Sequence, residues 1–98
     1  MKETKELPIP PDAVKDTQAK EIVRIWAGGD LQHISLDSQI WDDPAAWGLL
    51  LVDLARHVSA AYQQLEGSDP METLARIKEG FDAEWNAPTD EHKGGLMD

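Results

Sequence analysis

At 98 residues, with 9 Lys plus Arg against 19 Asp plus Glu and a formal net charge of −10, the chain is at most one small domain. Its field repels nucleic-acid phosphates and anionic lipid surfaces, so neither is expected as a partner. Cysteine is absent, which excludes disulfides and thiolate metal sites, and the wholly apolar run at residues 49–52 falls far below the roughly 20 residues that span a bilayer.

Residues 1–20 alternate lysines with acids and carry Pro8, Pro10 and Pro11. They read as a flexible N-terminal arm, either solvated or docked on a neighbouring subunit, with one helical turn available over Pro11–Lys15. No signal-peptide-like apolar stretch follows the first six residues, and the expected location is cytoplasmic.

The single folded domain is expected over residues 21–86. From Glu21 the apolar pattern has period two and halts at Gly28-Gly29-Asp30, after which residues 31–36 alternate again. This is a β-hairpin, with both glycines able to take the positive φ of a tight turn. Pairing Ala27 with Gln32 across a four-residue loop sets Ile25 opposite Ile34 and Val23 opposite Leu36, stacking the aliphatics on one face. The other face then holds Trp26 beside His33 and Arg24 beside Ser35.

Asp43-Pro44 is a strong helix start: the carboxylate can accept first-turn amides, and proline occupies a position that needs no donor. The helix should run to about Glu66 and stop at Gly67, with Asp53, Arg56, His57, Gln63 and Gln64 as a narrow polar stripe. Asp69-Pro70-Met71-Glu72 repeats the device as a capping box. A second helix follows, with Met71, Leu74, Ile77, Phe81 and Trp85 as its apolar stripe and Pro88 as its end. The short link 67–69 makes the two helices antiparallel, and residues 87–98 read as a flexible tail. Gly48 and Gly80, inside helices, suggest close approach of the hairpin or of another subunit.

Asp53, Arg56 and His57 form the one titratable cluster with helical spacing. A carboxylate that orients an imidazole suits acid–base work, but the same triplet is the ordinary wet or dimer-crossing side of an amphipathic helix. The histidines at 33, 57 and 92 lack zinc-ligand spacing, so neither a metal nor a cofactor is expected. Of the four tryptophans, Trp41, Trp47 and Trp85 read as anchors at one end of the helix pair. Trp26 lies on the hairpin face that needs a cover.

The segments Ile22-Val23-Arg24-Ile25-Trp26-Ala27 and Trp41-Asp42-Asp43-Pro44-Ala45-Ala46-Trp47-Gly48-Leu49-Leu50-Leu51-Val52-Asp53-Leu54-Ala55-Arg56-His57 resemble a family of short bacterial proteins known as a domain of unknown function. The resemblance spans about residues 8–85 and implies a bacterial, stand-alone, cytoplasmic protein. It carries over no activity and no site residues.

The expected fold is α+β in two layers, a β-hairpin packed on an antiparallel helix pair, with flexible termini. A lone hairpin and a core drawn from roughly 65 residues are both marginal, which predicts a homodimer joined through strands or through the first long helix. The function expected is that of a non-catalytic interaction or regulatory module, with Arg24, Trp26, His33, Asp53, Arg56 and His57 as candidate surface. The alternative is a small-molecule binder or minor enzyme with a cleft between hairpin and helix, lined by Asp53, Arg56, His57 and Trp26 or Trp41.

Overall fold

The computed structural model describes residues 5–88 and shows an α+β chain with the element order α1 (Pro11–Lys15), β1 (Val23–Ala27), β2 (Gln32–Leu36), α2 (Ala45–Glu66) and α3 (Pro70–Asn86). The N-terminal arm is described from residue 5; most of the expected C-terminal tail, with His92, lies outside the described residues. The chain divides between Ser38 and Gln39 into two compact units.

In the first unit β1 and β2 form a two-stranded antiparallel sheet in the expected register, Val23 opposite Leu36, Ile25 opposite Ile34, Trp26 opposite His33 and Ala27 opposite Gln32. Alternation fixes the face each residue takes, and the four-residue loop, which matches more apolar pairs than a two-residue loop with the same faces, sets the register. The ladder continues one step further where the Asp37 N–H donates to the Ile22 carbonyl at 2.9 Å, and the Gly28 N–H donates to the Leu31 carbonyl at 3.0 Å across the loop. The glycines act differently from the expectation. Among the described residues only Gly67 has a left-handed φ, 71°. Gly28 is required for space instead: a Cβ there would lie 2.6 Å from the Leu31 carbonyl oxygen and 2.8 Å from the His33 ring. The single turn α1 forms as its proline-led sequence suggests, with the Ala13 N–H donating to the Pro10 carbonyl at 3.0 Å.

In the second unit Asp43 Oδ1 accepts the Ala45 N–H at 3.0 Å, and Pro44 already has right-handed helical angles, so α2 starts as its sequence specifies. It ends where Gly67 enters the left-handed region and donates its N–H to the Gln63 carbonyl at 2.9 Å. Asp69 caps α3 by accepting the Met71 N–H at 2.9 Å, and that helix stops at Asn86. The two helices pack as a hairpin. Ser59, 3% exposed, donates its hydroxyl to the Ala55 carbonyl one turn earlier, which satisfies the one buried polar side chain among the described residues. Trp41 meets Trp47 edge to face at 5.1 Å where the chain enters α2, and Phe81 stacks on Trp85 at 5.5 Å near the end of α3. The expected α3 stripe is only partly covered. Leu74 and Ile77 are half-buried, while Met71, Phe81 and Trp85 are exposed. Among the described residues of its own unit, a Cβ added at Gly48 or Gly80 would meet no atom within 4 Å.

Candidate functional site

The candidate residues fall into two groups, one in each unit. In the first unit strand alternation puts Arg24, Trp26 and His33 on one face of the hairpin. The Arg24 guanidinium carbon lies 5.9 Å from the Trp26 ring centroid, within cation–π range. The same guanidinium is clasped by two acids, donating to Glu21 Oε2 from Nε at 3.2 Å and from Nη2 at 3.1 Å, and to Glu6 Oε2 from Nη1 at 3.0 Å. The hydrogen bonds that Arg24 donates to Glu21, then the charges of Glu21 and Glu6, raise the Arg24 pKa above its ordinary value, so the group remains a cation. Glu6 thus ties the N-terminal arm to β1.

That tie changes the status of Trp26. The indole is half-buried, and beside it runs a concavity of about 840 Å³ whose walls include Leu7, Ile9, Val14, Ile22 and Trp26. The arm therefore supplies part of the cover that the hairpin face needs. His33 is exposed, and its ring passes over Gly28. Sequence reading missed Glu6 and Glu21 as partners of Arg24. Glu21, three residues away, was a visible signal; Glu6 was not, because its approach depends on the path of a proline-rich segment.

In the second unit helical spacing brings Asp53 and His57 together, His57 Nε2 lying 3.5 Å from Asp53 Oδ2, and all three of Asp53, Arg56 and His57 are exposed. Among the described residues no three His, Cys, Asp or Glu side chains are grouped to hold a metal ion. An exposed pair of this kind orients an imidazole weakly and offers no enclosed volume in which a reacting group would be held.

The chain is a small acidic α+β protein whose candidate residues lie, within each unit, along the face of an element. Residues 6–89 match the family described as Domain of unknown function (DUF5076), and the chain belongs to that family. A solved structure from the photosynthetic bacterium Rhodopseudomonas palustrus CGA009, of a protein described as a "putative pyruvate dehydrogenase", is similar over 100% of both chains, with 35% identity and a TM-score of 0.74. No match was found among curated proteins. No helix among the described residues is long and apolar enough to cross a membrane.

Proposed function

We propose that the protein is a non-catalytic interaction or regulatory module that works as a homodimer in the cytoplasm, its apolar surface completed by a second copy. One observation carries the reading: among the described residues no hydrophobic side chain is buried, and Ser59 is the one buried residue. Leu65 is 84% exposed and Trp85 75%, and Leu49, Leu51, Val52, Leu54 and Met71 are exposed with them on the two long helices. Exposed apolar side chains in this number favour cover by a partner, and a hairpin with two open edges adds to that demand. The direct test is solution mass by light scattering through a dilution series. A dimer at micromolar concentration is expected; a monomer throughout would overturn the reading. The hairpin surface is tested separately by capture: Trp26→Ala and Arg24→Glu variants that stay folded yet retain every protein bound by the parent would remove Arg24 and Trp26 from the interaction surface.

A second reading, a small-molecule binder, is favoured by the apolar concavity beside Trp26. It is tested by following the Ile22 and Trp26 amides in NMR spectra during a ligand titration. The name of the similar structure makes pyruvate one ligand to include. Saturable shifts confined to the concavity would favour this reading over the first.

A further inference from the structure

We propose that two copies of the chain join through β2, edge to edge and antiparallel, about a two-fold axis at Ile34; this rests on the dimeric reading above and names its interface. The hydrogen bonds of the hairpin decide which backbone groups are available. At one end of the ladder the Asp37 N–H donates to the Ile22 carbonyl, and at the other the Gly28 N–H donates to the Leu31 carbonyl. Antiparallel bonding alternates along a strand, so His33 and Ser35 also turn their N–H and C=O groups toward β1. Gln32, Ile34 and Leu36 turn theirs away, and among the described residues no third strand receives them.

Three observations make a second β2 the occupant. First, the two edges of the hairpin differ. The N-terminal arm stands beside β1: Glu6 holds Arg24 at 3.0 Å, and the concavity between arm and sheet is walled by residues of the arm and of β1 but by none of β2. Pro8, Pro10 and Pro11 lack N–H donors, so the arm covers β1 without continuing the sheet, the way prolines blunt an edge. β2 has neither proline nor arm, and pairing through that edge closes at two copies instead of running on into a filament. Second, charge permits the approach. In a chain of net charge −10, residues 32–36 contain no Asp, Glu, Lys or Arg, and Asp37 just beyond them is paired with Lys20 at 2.9 Å. Third, β2 fits its own reverse. Set about Ile34, it pairs Ile34 with Ile34 and Gln32 with Leu36, so every outward N–H and C=O of the strand finds a partner. Centring on His33 would set Leu36 against Asp30 of the loop, and centring on Ser35 would set Gln32 against Ser38. The Ile34 register also brings Val23, Ile25, Ile34 and Leu36 of both copies onto one face of a continuous sheet, where a lone hairpin would be marginal.

Amide hydrogen exchange on the unaltered chain, with the mass measured on the same samples, reads this interface residue by residue. The outward amides of Gln32, Ile34 and Leu36 exchange only from the unpaired chain, so they should slow by about tenfold where about nine-tenths of the chains are dimeric. Those of Val23, Ile25 and Ala27, outward on β1, should not change. In a sample that mixes isotope-labelled with unlabelled chains, the Hα protons of His33 and Ser35 should show a nuclear Overhauser contact between copies. The axis sets those two residues directly opposite in the closer, non-hydrogen-bonded position. Dimeric mass without that contact, or with Gln32, Ile34 and Leu36 exchanging as fast as the β1 set, would overturn this interface while leaving the dimer standing. Monomeric mass at every concentration would overturn both.

Discussion

Replacing Gly28 by Ala isolates the steric requirement of the hairpin loop. The glycine does not have a left-handed φ, so alanine meets no backbone strain, but its methyl would sit 2.6 Å from the Leu31 carbonyl oxygen and 2.8 Å from the His33 ring. The ring can swing away; the carbonyl cannot without lengthening the Gly28-to-Leu31 hydrogen bond that closes the loop. Forcing a carbon into filled space costs about 1–3 kcal/mol, and the weakened bond adds roughly 1 kcal/mol. The opposing gain, from restricting the unfolded chain, is only about 0.4–1 kcal/mol. A net loss of about 2 kcal/mol is expected, read as roughly 30-fold faster hydrogen exchange of the β1 and β2 amides. Gly29→Ala is the control, since its Cβ would meet nothing within 4 Å, and it should leave exchange unchanged or slower. Equal exchange in the two variants would refute the steric account.

Asp69→Ala removes the carboxylate that accepts the Met71 N–H and should cost about 1 kcal/mol in denaturant unfolding, whereas Asp69→Asn or Asp69→Ser should restore most of it. Gly67→Ala, at φ 71°, should cost about 1–2 kcal/mol by the same measurement. Gly80→Ala, with open space around its Cβ, should raise stability by up to about 1 kcal/mol; a loss together with a lower dimer fraction by light scattering would show that the partner packs against Gly80. Arg24→Glu would bring three acids together at positions 6, 21 and 24 and should release the arm, seen as faster proteolysis near residue 10, with the helix pair unaffected.

The hairpin register was legible because period-two alternation and a four-residue loop leave one pairing that stacks Val23, Ile25, Ile34 and Leu36. The helix ends were legible for a similar reason, since Asp43-Pro44, Gly67 and Asp69-Pro70 each satisfy a specific terminal amide or backbone angle. Burial was less readable. Hydrophobic spacing on α3 identifies a stripe, but it cannot say whether Met71 and Trp85 are covered by the same chain or by another. Gly28 shows a further limit: its place in the loop was evident, yet its reason, a close carbonyl, exists only once the loop has closed. The surface at Arg24 and Trp26 was half legible, because local alternation sets the pair while the approach of Glu6 depends on chain path.

Equilibrium unfolding at several chain concentrations tests the central claim most directly, because it asks whether the partner is part of the fold. If a second copy completes the apolar surface, the denaturant midpoint rises with concentration, gaining about 1.4 kcal/mol per mole of dimer for each tenfold increase. A midpoint that stays fixed over a hundredfold range, in a protein of monomeric mass, would contradict the account.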